Sequence, residues 1–391
     1  MKRMVQNLAI LFINNYRITS IKCLYIMFST FFSNKAVNQE SKDLIISFFS
    51  EYRSSCFREG FLSISSRPKI TLEDGYIIID VDLPFPCDGE LDDISDALTE
   101  MLNQTTLIKP NYQIAQVRQH SLKGISNIIA VTSGKGGVGK STTAVNLAYA
   151  LIEEGSTVGI LDADIYGPSI PTLLGLKGQQ PSSTNGKSII PLSSHGLVAM
   201  SVGLLVGDED ATVWRGPMAS RAFSQLLNET LWPDLDYLIV DMPPGTGDIQ
   251  LTLSQSVPVA AAIVVTTPQD IALTDAIKGI TMFDKVKVPV LGLIENMSYH
   301  LCEKCGHQSH LFGENGGANT AKNKNIPLLG QLPLNIEIRQ DADQGNSAVL
   351  KNSTGDIALL YRKLARNVAS ELYYQLDARS PNTAEIRFSD K

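Results

Sequence analysis

The chain has 391 residues, of which 43% are hydrophobic and 19% are charged, a composition typical of a globular protein with two or three domains. Its formal net charge of −7 argues against a protein that coats nucleic acid, because no global basic field exists to release counterions. Five scattered cysteines, an odd number, argue against a secreted disulfide framework and indicate a reducing compartment.

The first 37 residues form an atypical N-terminal extension. They are basic, contain apolar stretches such as Leu8–Ile13, and precede the first acidic residue, Glu40. Two interpretations stay open: an organellar transit peptide, or a start codon assigned too far upstream, with translation beginning near Met27. No membrane span is expected, because polar residues interrupt every apolar window well short of about 20 residues. We expect a cytoplasmic protein, or one of an organellar matrix if the extension is a transit peptide.

Residues 38–118 are predicted to form a small α/β domain. Its apolar periodicity predicts two helices, and its alternating stretches predict a hairpin that turns at Asp74-Gly75 and a last strand. The helices are expected at Leu44–Phe57 and Leu91–Leu102, the hairpin at Lys69–Leu83 and the last strand at Tyr112–Arg118. Nothing in this domain has catalytic spacing.

A phosphate loop follows a predicted linker at residues 119–126. The apolar stretch Ile128–Val131 has the length of a buried strand, and small and apolar residues recur at helix spacing up to Leu151. Between them, a full G-x-x-x-x-G-K-S motif comprises Gly134, Lys135, Gly136, Gly137, Val138, Gly139, Lys140 and Ser141. Glycines let backbone N–H groups approach phosphate oxygens. We expect a surface loop in which Lys140 reaches the β- and γ-phosphates and Ser141 binds Mg²⁺.

Strands and helices alternate from the loop to the end of a domain predicted over residues 127–376, with a tail at 377–391. This alternation predicts an α/β fold with a mostly parallel sheet and helices on both faces. The strands are expected at Val158–Leu161, Tyr237–Val240, Ala261–Thr266, Val290–Ile294 and Pro327–Leu332, and a closing helix at Asp356–Leu376.

Two of these strands end in carboxylates. Asp241 follows an apolar strand, the Walker B arrangement, in which the carboxylate holds a Mg²⁺-bound water. Asp162 and Asp164 leave another strand, and this spacing suits one ligand of the metal shell and one residue that orients the attacking water. Lys135 is a second lysine inside the phosphate loop, and we expect it to reach a nucleotide on a second subunit, as an arginine finger acts in trans.

A second cluster lies in residues 299–310, which hold three of the five histidines and two of the five cysteines. Cys302 and Cys305 form a C-x-x-C pair, and three chemistries stay open. A zinc knuckle would add His307 or His310, and a thioredoxin-like dithiol would require a helix that starts inside the motif. An iron–sulfur cluster needs four thiolates, so two subunits would have to share it.

Five motifs and this cysteine pair carry a family resemblance. The chain resembles the Mrp/ApbC family of iron–sulfur cluster carrier ATPases, a deviant-Walker-A group of P-loop NTPases. The resemblance covers residues 120–372 and rests on Ser133–Thr142, Leu161–Ser169, Val213–Met218, Val240–Asp248 and Glu295–Ser298, followed by Cys302 and Cys305. More weakly, residues 38–118 are similar to a module of cytosolic iron–sulfur assembly factors, in which Cys87 is assigned no ligand role.

The resemblance implies roles for individual residues. Lys135 is the signature lysine, and the nucleotide loop extends through Thr142, with Ser141 on Mg²⁺. Asp164 orients water, while Asn296 reads the adenine edge. Together the implied catalytic residues are Lys135, Lys140, Asp164 and Asp241, and the implied cluster ligands are Cys302 and Cys305.

The resemblance also implies a function. It implies ATP hydrolysis coupled to the transfer of a 4Fe–4S cluster, shared between the subunits of a homodimer, to apo iron–sulfur proteins, with no nucleic-acid or membrane partner. A positioning or partition ATPase stays possible, because it shares the nucleotide motifs. It would need a basic helix or face, and the closing helix carries Arg362, Lys363 and Arg366 on one side. A zinc-binding P-loop ATPase and a reductase component similar to nitrogenase iron protein also stay open.

Overall fold

The computed structural model describes residues 37–183, 186–205 and 216–375. These residues form two compact units. The smaller unit combines the described residues before Ser54 with Glu59–Asp82 and Glu90–Asn111; the larger unit combines Ser54–Arg58, Leu83–Gly89 and the chain from Tyr112 onward. The predicted N-terminal extension before Val37, which includes Cys23, and the predicted tail lie outside the described residues.

The first six elements include a three-stranded sheet in the order β1-β2-β3. The predicted hairpin is confirmed, and its two turn residues, Asp74 (φ 51°) and Gly75 (φ 87°), have the left-handed conformation of a tight hairpin turn. The elements are α1 (Gln39–Glu51), α2 (Phe61–Ile64), β1 (Lys69–Glu73), β2 (Tyr76–Leu83), α3 (Asp88–Leu102) and β3 (Thr106–Tyr112).

Two predictions in this region are wrong in detail. Helix α1 ends at Glu51 rather than at Phe57, because the hydroxyl of Ser54 accepts the N–H groups of Cys56 and Phe57 and forms a turn. The last strand ends at Tyr112, where the prediction started it. The strand includes Pro110, which is tolerated because β3 is at the edge of its sheet and needs fewer ladder donors.

The larger unit is built on a sheet with nine strands in the described part of the chain, as predicted mostly parallel. Its order is β13-β12-β11-β4-β10-β5-β9-β8, and β14 pairs with β12. Among the described strand pairs of this sheet, only β8–β9 and β12–β13 are antiparallel. The strands are β4 (Ile125–Ser133), β5 (Val158–Asp162), β8 (Leu192–Ser194), β9 (Leu197–Ser201), β10 (Leu235–Asp241), β11 (Ala261–Thr266), β12 (Val290–Leu301), β13 (Gln308–Ser309) and β14 (Leu328–Pro333), and the short β6 (Ser182–Ser183) and β7 (Ile189–Ile190) pair separately.

Helices enclose this sheet, and the core lies along its central strands. The phosphate-loop helix, α4, buries the small and apolar face that its spacing predicts, so that Ala144 and Leu147 are fully buried. No described helix is long and apolar enough to cross a membrane. The helices are α4 (Lys140–Glu153), α5 (Ile170–Leu173), α6 (Gly216–Glu229), α7 (Asp248–Ser256), α8 (Asp270–Lys285), α9 (Gly316–Lys324), α10 (Ile336–Asp343), α11 (Ala348–Lys351) and α12 (Asp356–Gln375).

The strand order explains how distant sequence motifs meet. Strand β10 lies between β4 and β5 and is parallel to both, so the carboxyl ends of these three strands lie side by side. Strand β12 is longer than predicted. It continues past Ile294 to Leu301, because its outer half still pairs, first with β14 at Tyr299 and then with β13 at His300 and Leu301.

Candidate functional site

The phosphate loop joins β4 to α4, and its glycines are required for two different reasons. Gly137 and Gly139 both have φ of +81°, which favours glycine. A Cβ on Gly134 would come within 2.6 Å of the backbone of Asp275 and Ala276, so this position has no room for a side chain. A Cβ on Gly136 or Gly137 would meet no atom within 4 Å, so glycine at these positions keeps open the space beside the loop backbone that a phosphate group needs.

Lys140 connects three of the predicted site residues. Its Nζ lies 2.5 Å from Oδ1 of Asp241, 3.1 Å from Oγ of Ser141 and 4.0 Å from Oδ2 of Asp164. Lys140 is only 6% exposed and Asp241 is fully buried. The fold therefore brings the phosphate-loop lysine and the two predicted acids into one buried electrostatic cluster at the carboxyl ends of β4, β10 and β5.

The two acids of the Asp162-Ala163-Asp164 segment have different environments. Asp162 is buried, and its carboxylate accepts the N–H groups of Asp164 (3.0 Å) and Ile170 (3.2 Å) and the hydroxyl of Ser201 (3.0 Å). Burial, together with the charge of Asp241, raises the pKa of Asp162 to about 7. These three donors hold the Asp162 carboxylate in place and with it the segment that carries Asp164. Which of the two acids is a ligand of the metal shell stays a prediction.

Asp164 is half-buried, and burial raises its pKa while the nearby Lys140 ammonium opposes that rise. Oδ2 of Asp241 is buried and has no hydrogen-bond partner among the described residues. A buried carboxylate oxygen with a free lone pair, close to the Lys140 and Ser141 pair, fits the oxygen donors that Mg²⁺ prefers. The residues present therefore fit a magnesium ion beside the phosphate loop.

Two further predicted nucleotide residues lie at the edges of the loop. Nζ of Lys135 is 3.5 Å from Oε1 of Gln269, the residue before α8. Nδ2 of Asn296 donates to the carbonyl of Val138 within the loop, at 2.9 Å, and fills the space beside Gly139. The trans role of Lys135 and the adenine contact of Asn296 stay predictions.

The cysteine pair lies in the turn of a β-hairpin formed by β12 and β13. The N–H of Cys302 donates to the carbonyl of His307 (3.0 Å), and the N–H of Gly306 donates to the carbonyl of Cys302 (2.8 Å). Cys305 is exposed, and backbone N–H groups of Lys304 and Cys305 lower the pKa of the Cys302 thiol. A thioredoxin-like dithiol requires a helix that starts inside the C-x-x-C motif, and no helix starts inside this hairpin.

Two of the three neighbouring histidines contact backbone carbonyls. Nδ1 of His300 lies 3.3 Å from the carbonyl of Leu334, and Nδ1 of His310 lies 3.1 Å from that of Ser298. Across the part of the chain that the structure describes, no three His, Cys, Asp or Glu side chains are grouped so that they could hold a metal ion. The hairpin therefore presents two thiols, those of Cys302 and Cys305.

Two of the basic residues on the closing helix α12 are engaged within the protein, whereas Lys363 is exposed. Arg362 and Arg366 both bind the buried carboxylate of Glu154, at 2.7 Å and 2.8 Å. Their charges therefore compensate a buried acid at the end of α4. Of the predicted motif Val213–Met218, the first three residues lie outside the described residues and the last three begin α6.

Comparisons with known proteins agree with this geometry. A family model described as ParA, NUBPL iron-transfer P-loop NTPase, matches residues 124–369. An iron–sulfur cluster carrier protein of Haemophilus influenzae is 48% identical over 356 residues, which cover 89% of this chain and 96% of the relative. One of Escherichia coli K12 is 60% identical over 257 residues, covering 66% of this chain and 70% of the relative.

A solved structure supports the same assignment. A nucleotide-binding protein from Archaeoglobus fulgidus, in complex with ADP, matches with a TM-score of 0.52 at 36% identity. The match covers 58% of this chain and 89% of that protein. Phosphate loop, strand order and sequence similarity agree, and the chain belongs to the NUBPL iron-transfer P-loop NTPase family.

Proposed function

We propose that this protein is an iron–sulfur cluster carrier, which holds a 4Fe–4S cluster as cargo and transfers it to apoproteins with ATP binding and hydrolysis. One observation carries the proposal. Strand β12 connects the two sites, because Asn296 on it contacts the phosphate loop and Cys302 follows directly at its end. Relatives named as iron–sulfur cluster carriers support it. No disulfide joins the described cysteines, which suits a reducing compartment such as the cytoplasm.

The nucleotide site suits ATP hydrolysis. Lys140 leaves Asp241 to bind the β- and γ-phosphates when ATP enters, and the backbone N–H groups of the loop surround the phosphate oxygens. Ser141 and Asp241 are the residues that would hold Mg²⁺, which supplies positive charge next to the phosphates. Asp164, positioned by Asp162, orients the attacking water.

The carrier acts as a homodimer. Lys135 reaches the nucleotide of the partner subunit, and each subunit contributes Cys302 and Cys305 to one shared cluster. Two thiols per hairpin and four ligands per cluster support this arrangement.

Replacing Asp164 with alanine should leave ATP binding intact and lower hydrolysis by about 10²- to 10⁴-fold, because only the orientation of water is lost. Replacing Lys135 with alanine should also inactivate a homodimer. In a heterodimer of the two variants, one composite site carries both lesions and the other carries none. Random mixing should therefore restore about a quarter of wild-type turnover. Phosphate release measures turnover, and a fluorescent nucleotide measures binding.

The two homodimers are the controls, and tagged copies verify that heterodimers form. If verified heterodimers recover no turnover, Lys135 does not act in trans. If the Asp164 variant binds ATP poorly but hydrolyses it normally, the role given to Asp164 is wrong.

Cluster transfer tests the proposed function itself. Protein purified and reconstituted without oxygen should restore the activity of an apo-enzyme that requires a 4Fe–4S cluster. It should do so faster than equal amounts of free iron and sulfide, because the cluster is transferred intact. The Cys305→Ser variant is the matched control, since Cys305 is exposed and its replacement leaves the core unchanged. Transfer no faster than from free iron and sulfide would reject the carrier function.

A further inference from the structure

One strand physically joins the nucleotide site to the cysteine hairpin. On β12, Asn296 donates a hydrogen bond to the carbonyl of Val138 in the phosphate loop. Cys302 follows six residues later in the sequence. At a strand rise of about 3.3 Å per residue, the two positions are about 20 Å apart. One short, continuous stretch of backbone therefore connects Asn296 to the thiols.

This strand is irregular between the two positions. Its register against β14 shifts between Glu295 and Tyr299. Within the shift, Met297 has φ of +56°, a left-handed conformation that is strained for a residue with a side chain. We call Glu295–Ser298 the β12 bulge. A bulge locally disrupts the hydrogen-bond ladder and bends the strand, so the two halves of β12 are less rigidly coupled here than in a regular strand.

The near end of the bulge is fixed by a buried carboxylate. Glu295 is fully buried, and it accepts the hydroxyl of Ser298 (2.6 Å), the amide of Gln331 (2.8 Å) and the N–H of Gly317. These donors come from the bulge itself, from β14 and from the first turn of α9. A buried charge with three donors is costly to disturb, so Glu295 is a fixed point.

The far end of the bulge is joined to the hairpin. The carbonyl of Ser298 contacts the ring of His310, which follows β13, at 3.1 Å. The carbonyl of Tyr299 accepts the N–H of Leu334 at 2.7 Å, and the ring of His300 contacts the carbonyl of Leu334. The end of β12 is therefore linked to the segment after β13 through His310 and to the segment after β14 through Leu334.

Between these ends, Asn296 and Met297 lie next to the phosphate loop. The side chain of Asn296 accepts the N–H of Met297 (3.0 Å) while it donates to Val138. We propose that Asn296 and Met297 are positioning residues: the β12 bulge transmits the state of the phosphate loop to Cys302 and Cys305. Nucleotide in the loop shifts the Val138 carbonyl, Asn296 follows it, and the strained backbone at Met297 changes the presentation of the thiols. This inference rests on the proposed function for the thiols' role as cluster ligands, but the coupling itself does not require a cluster.

Thiol alkylation of the full-length, cluster-free protein tests the coupling. Iodoacetamide modifies Cys302 and Cys305, and peptide mass spectrometry reports the rate at each. Saturating non-hydrolysable ATP analogue with Mg²⁺ should change these rates in the wild type by about fivefold or more. Asn296→Ala should abolish the change at an analogue concentration that a binding titration shows to saturate this variant, even if its affinity for the analogue is lower. Asn296→Asp keeps the shape and the bond to Met297 but cannot donate to Val138, and it should abolish the change as well.

Two further variants separate coupling from general stability. Asn367→Ala is the matched control, because Asn367 also donates its amide to a backbone carbonyl at 2.9 Å, that of Leu329, away from the loop. It should keep the wild-type response. Met297→Gly relieves the left-handed strain and should reduce the response. A wild type that binds the analogue without any change in alkylation, or an Asn296→Asp variant with the full response, would overturn the inference. The alkylation experiment uses cluster-free protein, so its outcome does not depend on cluster transfer. Failure of this inference and failure of the proposed function are therefore distinguishable.

Discussion

Replacing Lys140 with alanine is expected to abolish ATP hydrolysis and also to destabilise the nucleotide-free protein. Hydrolysis is lost because the variant lacks the contacts of Lys140 with the β- and γ-phosphates. The protein is destabilised because the fully buried carboxylate of Asp241 loses the ammonium group that lies 2.5 Å away. Removing one partner of a buried ion pair costs about 3–5 kcal/mol, because the remaining charge is not compensated. The raised pKa of the neighbouring Asp162 shows that this region already disfavours negative charge.

A double variant distinguishes the two effects. Adding Asp241→Asn to Lys140→Ala removes the uncompensated charge, so most of the lost stability should return, while hydrolysis stays absent. Urea unfolding followed by circular dichroism measures the free energy of unfolding, and phosphate release measures turnover. Wild-type stability in the Lys140→Ala variant would show that the buried pair contributes nothing. Wild-type turnover in it would remove this loop from the active site.

A loss of stability in the Lys140→Ala variant would not be expected if the phosphate loop were only a surface loop, as the sequence predicts. The sequence motif identifies Lys140 by its spacing, and that spacing is local. Its burial depends on β10 lying between β4 and β5, an order that the chain sequence does not contain because these strands are separated by long segments. The motif therefore predicts the chemistry of the loop, whereas the cost of removing Lys140 is set by tertiary structure.

The difference between local sequence signals and tertiary structure also explains which other predictions were correct and which were wrong. The turn at Asp74-Gly75 and the buried face of α4 were predictable, because turn residues and helix periodicity are local signals. The strand with Pro110 was misplaced, since an edge position is a property of the assembled sheet. The β12 bulge had no local signal either. Met297 resembles any strand residue in the sequence, and its left-handed backbone depends on contacts with the phosphate loop and β14.

The second large effect is expected at the cysteine hairpin. Reconstituted protein should contain about four irons per dimer, with a visible absorption spectrum, and either Cys302→Ser or Cys305→Ser should remove all of the iron. The reason is the number of available thiols. Of the four described cysteines, Cys56 and Cys87 are buried in the core, so each chain offers only the hairpin pair at its described surface. Four ligands then require two chains.

The histidine variants distinguish this cluster from a zinc knuckle. Replacing His300, His307 and His310 with glutamine should leave the iron content unchanged, because thiolates are the expected ligands of the cluster. Iron and sulfide content, together with the mass of the complex in solution, measures the result. A colourless protein with about one zinc per chain, lost when these histidines are replaced, would assign the hairpin to zinc instead. With iron retained, the pairing of two hairpins across a two-fold axis becomes the simplest structure that satisfies all four ligands.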